Sequence, residues 1–160
     1  MSLQLSTRGR YGLRLMVALA MNYGNGSSLL KDVAKKEDIS EKYLGQIIIP
    51  LKSSGLVVSH RGAHGGYSLA RPPQDITVKD VVEAIEGSIA PVPCVDLAAG
   101  ASREECGENP SGCDRATTCV ATEVWAKLRD DIIKSLSSFS LSALATRARE
   151  FGQGVENYSI

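Results

Sequence analysis

No stretch of this 160-residue chain approaches the roughly 20 consecutive apolar residues that a bilayer-crossing helix needs, which argues against such a helix and against a membrane partner. The P-loop, the dinucleotide-binding glycine fingerprint and the G-x-S-x-G turn are all missing. The glycines from Gly62 to Gly66 are not followed by the helix that a phosphate cradle requires. An enzyme is therefore not expected, and neither is a small-molecule substrate. Histidine stops at His64, and no two cysteines stand as C-x2-C, the pairing common in zinc loops. Cysteine is also absent from residues 1–93 and 120–160. All four cysteines, Cys94, Cys106, Cys113 and Cys119, fall within 26 residues rich in Gly, Ser, Pro and acidic side chains.

What is present reads as a folded domain with a helical extension. Hydrophobic residues make up 43% of the chain, enough for a core and above the disordered range. Met1 to Arg8 contain neither an apolar signal region nor a lipidation motif, so a cytoplasmic protein is expected. Thiols in that compartment stay reduced, which favours metal or sensor chemistry over structural disulfides. The net charge of zero hides an asymmetry. Residues 1–75 carry ten Lys/Arg against five Asp/Glu, or +5; residues 76–160 carry eight against thirteen, or −5. A basic N-terminal half suits a phosphate-binding surface.

Ser6 or Thr7 caps an expected helix running to about Asn22, with Leu13, Val17, Ala20 and Met21 at helical spacing. Gly24-Asn25-Gly26 stops it. A short basic helix over Leu30 to Glu37 follows. Ser40 then caps a third helix with Leu44, Ile47, Ile48 and Leu51 on one face, ending near Ser54 and Gly55. Pro50 predicts a kink there, or an interruption before Leu51. Residues 56–60 and 67–70 read as strands of a hairpin around a glycine-rich, basic tip. Thr77 to Asp80 has the capping-box pattern and opens a helix burying Val78, Val81, Val82 and Ile85, stopped by Gly87. Residues 88–118 form a loop too long to be a mere connection. From Val120 to Phe139 a further helix carries Ala121, Trp125, Leu128, Ile132, Leu136 and Phe139 in one stripe, whose natural cover is a second subunit. Ser140 to Arg149 adds a short final helix. The expected fold is mainly α with a small β-hairpin wing. Residues 1–87 form a winged helix-turn-helix, 88–119 a cysteine-rich loop, and 120–150 a dimerisation helix and tail.

A helix-turn-helix places the first turns of its second helix against base edges in the major groove. Those turns hold Ser40, Lys42, Tyr43 and Gln46. Gln can pair with adenine at two points, Ser and Lys can meet bases or phosphate, and Tyr can meet phosphate. Arg61 on the wing suits a narrow minor groove, and Arg8 and Arg10 suit phosphate. His60 and His64 on the wing adjoin phosphate or solvent. The expected partner is double-stranded DNA, gripped by a homodimer on a palindromic operator.

Several segments together resemble one family. They are Ser6 to Arg14 (STRGRYGLR), Ile39 to Leu44 (ISEKYL), Gly55 to Val57, the Arg61 to Pro72 wing, and Cys113 to Trp125 with five residues between Cys113 and Cys119. This combination resembles the IscR/NsrR family of bacterial winged-helix regulators over about Leu3 to Leu144. The resemblance implies a homodimer and an iron–sulfur cluster, two-iron two-sulfur by preference, held by the cysteine loop. It also implies control of iron–sulfur assembly genes, or of nitric-oxide or iron responses in sister branches. Cys113 and Cys119 match the second and third family cysteines. The first is Cys94, by its lead-in Ile89 to Pro93, or Cys106, by its spacing; Cys94 is favoured. The family's histidine, three residues past the last cysteine, is Thr122 here, a poor iron ligand. The acidic residue that some relatives recruit near the first helix is Arg8 here. Cys106 and Glu123 lead the candidates for fourth ligand, ahead of Asp114 and the Glu104, Glu105 and Glu108 group. Gly45 stands where relatives that discriminate operator classes carry glutamate.

The rivals are a zinc loop, a cluster-free thiol switch, and a nitric-oxide or redox-sensing repressor of the same family.

Overall fold

The computed structural model describes residues 5–62, 65–96 and 118–156. Helix α1 (Thr7–Met21) starts where expected, with the Ser6 hydroxyl accepting from the Gly9 N–H at 3.0 Å. Its inner face differs from the anticipated stripe. Leu15, Met16, Leu19 and Ala20 are buried, while Leu13, Val17 and Met21 pack half-buried beside them. The reason is its position. Helices from both ends of the chain and the hairpin all pack on α1, and a helix covered on most sides is apolar around most of its circumference.

Helix α2 (Leu30–Glu37) ends in a left-handed turn at Asp38, φ 53°. Helix α3 (Glu41–Ser53) is capped by Ser40, whose hydroxyl accepts from the Tyr43 N–H at 3.2 Å. Leu44, Ile47, Ile48 and Leu51 are buried as the spacing predicts. Of the kink or interruption expected at Pro50, the interruption is absent: α3 continues through it to Ser53. Near a helix end a proline forfeits one internal bond but leaves few later turns to misalign.

Strands β1 (Val57–His60) and β2 (Gly66–Leu69) pair antiparallel, with Val57 opposite Leu69 and His60 opposite Gly66. A third extended segment, which the sequence does not announce, joins this wing. Ser28 and Tyr67 exchange two backbone hydrogen bonds of 2.8 Å. The expected tip residues Ala63 and His64 lie outside the described residues. Helix α4 (Val78–Glu86) shows the full capping box: Asp80 N–H donates to the Thr77 hydroxyl at 3.2 Å, and Thr77 N–H donates to the Asp80 carboxylate at 2.8 Å.

Beyond Gly87 the described chain contains a single 3-10 turn at Pro93–Val95 before helix α5 (Ala121–Ser137). Helix α6 (Leu141–Glu156) is longer than the short tail helix expected, and it returns to the core. Leu141 and Ala145 are 0% and 2% exposed. The junction is stitched by Val78 N–H to the Phe139 carbonyl and Leu141 N–H to the Ile76 carbonyl, both 2.9 Å. Arg149 donates to the Met21 carbonyl at 2.9 Å, closing the exposed end of α1.

Helices α1 and α4 approach closely because α1 carries Gly9 and Gly12 on that side. A methyl at Gly12 would lie 2.0 Å from Ile85 Cδ1 and 3.3 Å from Ile47 Cγ2, both in the packed core. Gly12→Ala is expected to lower stability by about 1–3 kcal/mol through overpacking, despite the better helix propensity of alanine. At Gly9 the added methyl meets the end of the exposed Glu86 side chain, which can swing into solvent. Gly9→Ala should stay within about 1 kcal/mol of the parent. Urea unfolding of both variants checks the contrast.

Candidate DNA interface and thiol centre

The two exposed polar side chains Lys42 and Gln46 stand one helical turn apart on α3, so both project from the same outer face. Ser40 lies at the mouth of that face, with its hydroxyl engaged as the cap. Tyr43 is half-buried, its ring edge-on to Tyr11 of α1 with centroids 5.9 Å apart at 88°. Arg61 is exposed at the end of β1, next to Gly62 at φ 99°. Arg10 is exposed and donates to the Thr7 hydroxyl at 3.0 Å. Arg8 is exposed, yet its guanidinium reaches the Gln46 carbonyl at 3.4 Å.

Between the α1–α2 turn, α2 and the wing runs an open groove of about 1300 Å³. Lys36, His60 and Arg61 bring positive or titratable groups to it, against Asp32 alone of opposite sign. His60 also bonds Ser68 across the strand pair at 2.8 Å. His60 was expected beside phosphate or solvent on the wing, but Lys36 was given no role of its own from sequence. The available signal was the basic character of α2, but its nearness to the wing depends on the Ser28–Tyr67 pairing.

The thiols sit at the other end of the chain's path. Cys94 is half-buried in the Pro93–Val95 turn and Cys119 is exposed immediately before α5; neither is in a disulfide. The turn is anchored. Val95 is 2% exposed, and its carbonyl accepts from Arg129 of α5 at 2.9 Å. Ser88 donates to the Asp96 carboxylate on the same turn. The Cys119 carbonyl accepts from Thr122 N–H at 3.1 Å as α5 begins, and Glu123 is exposed in its first turn. Cys106, Cys113, Asp114 and the Glu104, Glu105 and Glu108 group lie outside the described residues. Among the described residues no three His, Cys, Asp or Glu side chains gather closely enough to hold a metal ion.

The family model described as "Rrf2: Iron-dependent Transcriptional regulator" matches residues 5–147. The chain belongs to the Rrf2 family. It is a DNA-binding transcription regulator and not an enzyme, in keeping with its winged helix-turn-helix and basic groove. This Rrf2 regulator is 37% identical over 144 residues to the HTH-type transcriptional regulator CymR of Bacillus subtilis, covering 90% of this chain and 91% of that one. The solved structure of that protein, titled the global cysteine regulator, superposes with a TM-score of 0.68 at 36% identity, covering 91% and 98% of the two chains. T. potens IscR superposes with a TM-score of 0.67 at 35% identity, covering 92% and 89%. The oxidized form of Staphylococcus aureus CymR gives 0.62 at 31% identity, covering 89% and 95%. The resemblance to the IscR branch is thus met at family level, with CymR a second similar branch. No described helix is long and apolar enough to cross a membrane.

Proposed function

We propose that this Rrf2 regulator is a homodimer that reads a palindromic operator and senses iron–sulfur status through a cluster held by Cys94, Cys113 and Cys119. Cys106 or Glu123 completes the ligand set. The observation that carries the reading is the placement of the four cysteines between the winged domain and α5, with the described thiols Cys94 and Cys119 unpaired and their segments both anchored to that helix, at its middle and its first turn. Soft thiolates of this kind suit iron–sulfur clusters, and the family description names iron. When bound, a two-iron cluster supplies iron–thiolate bonds and one-electron redox chemistry. The chain's own residues do the rest. Arg129 holds the Cys94 turn on α5, α5 packs on α4, and α4 packs on α1 and α3. Fixing or releasing residues 94–119 therefore biases the setting of the reading helix.

Ser40, Lys42, Tyr43 and Gln46 form the reading face, with Arg61 and His64 on the wing and Arg10 flanking phosphate. The dimer rests on α5. Val124 and Trp125 are 60% and 38% exposed, and no α5 residue is fully buried within the chain. The inner part of the stripe, Leu128, Ile132 and Leu136, is half-buried, and α5 packs in-chain against α4. The remainder needs a second copy to cover it.

A cluster-free thiol switch is the second reading. The exposed Cys119 favours it, as does the likeness to a CymR solved in an oxidized form. Purification without oxygen separates the two. The expected result is a coloured protein with visible charge-transfer absorption and matching iron and sulfide. A colourless, metal-free protein whose DNA binding is reversibly lost on diamide treatment would replace the first reading with the second; a zinc-loaded one would replace both.

A further inference from the structure

We infer that Arg8, Tyr11 and Arg14, three steps along α1, act as a positioning bracket for the reading helix, and that Pro50 serves it by freeing a backbone acceptor. The inference rests on α3 being the reading helix.

Proline carries no N–H, so the carbonyl four residues before it loses its helical donor. That carbonyl belongs to Gln46, the residue offered for base contact. The Arg8 guanidinium is aimed at it, at 3.4 Å. One turn earlier on α3, the Tyr43 ring meets the Tyr11 ring edge-on at 5.9 Å. Arg14 lies 5.6 Å from the Tyr11 centroid and pairs with Glu37 at 2.9 Å. It also donates to the Glu37 carbonyl, at the residue that closes α2. The three α1 side chains thus touch the end of α2, the first turn of α3 and the middle of α3. These are the points that set the angle of a reading helix relative to the domain. α1 is itself seated against α4 through Gly9 and Gly12, so the bracket is tied to a rigid base.

This assigns Arg8 a role different from neutralising phosphate, and the two roles have different signatures. A phosphate contact weakens all duplexes alike and contributes about 0.9 to the salt slope. A positioning contact alters the preference for the cognate duplex and leaves the slope alone. Pro50 adds a second signature. Alanine there restores an N–H to bond the Gln46 carbonyl, so the helix no longer needs Arg8 at that point.

The test uses the full chain and the duplex it enriches from a random-sequence pool, beside an unrelated duplex. Arg8→Ala should reduce the preference for the enriched duplex by about tenfold, the scale of one good base contact, with the salt slope and thermal midpoint unchanged. In a Pro50→Ala background the same change should cost less than about threefold, because the coupling partner is gone. A salt slope lowered by about 0.9 in Arg8→Ala, or an equal loss in both backgrounds, overturns the bracket. Gln46→Ala is measured in parallel. If it leaves base preference untouched, the assignment of the reading face fails independently of the Arg8 result.

Discussion

Leu141→Ala is expected to lower the unfolding free energy by about 2–5 kcal/mol, although the residue lies far along the chain from the helix-turn-helix. Leu141 is 0% exposed, and its backbone N–H donates to the carbonyl of Ile76, itself fully buried. Truncation to alanine removes transfer energy and leaves a cavity among side chains supplied by α1 and the segment after the wing. Against a total of about 5–15 kcal/mol for a typical domain, that loss is severe. The thermal midpoint should fall by roughly 2–4 °C for each kcal/mol lost at this chain length. Glu150→Ala, exposed on the same helix, should stay within about 0.5 kcal/mol. Urea unfolding followed by circular dichroism decides the matter. A parent-like midpoint for Leu141→Ala would mean that α6 does not complete the core.

The second large effect concerns the thiols. Without oxygen, Cys113→Ala and Cys119→Ala are each expected to lose visible absorption and bound iron altogether, since three thiolates cannot be spared one. Cys94→Ala should behave the same way, while Cys106→Ala keeps at least part of its iron. The opposite pattern for Cys94 and Cys106 would exchange their roles. Operator affinity in the cluster-free variants should differ from the loaded parent by about 5–150-fold, the usual range of coupling between two sites. If all four variants contain no less iron than the parent, or bind DNA as the loaded parent does, iron sensing by this loop is excluded.

Much of this architecture is written locally. Ser40 and Thr77 announce helix starts because their hydroxyls can satisfy only nearby N–H groups, and both caps form as read. Gly55 and Gly87 mark helix ends by adopting positive φ of 68° and 82°. The hairpin follows from alternation and from glycines at its turn. What was not legible depends on partners remote in sequence. Ser28 joins the wing only because Tyr67 lies beside it. The face that α1 buries is chosen by α4 and α6, not by its own periodicity. Arg8 and Tyr43 stand out as DNA-contacting candidates because charge and hydroxyl are visible in a sequence, whereas the Gln46 carbonyl that Arg8 also reaches and the Tyr11 ring that Tyr43 also faces are not. On the thiol side, the cysteine spacing pointed to a ligand loop, but nothing local revealed that Arg129 would hold the Cys94 turn.

The seating of α6 on α1 bears on how the protein is made. A ribosome delivers the helix-turn-helix and wing first, and at that stage the groove that Leu141 and Ala145 will fill is open to water. The nascent regulator must wait, with sticky side chains of its first helix uncovered, until residues 141–145 emerge. Competence to grip a duplex therefore arrives late in synthesis, and a prematurely terminated product would be a substrate for chaperones and proteases before it could occupy an operator.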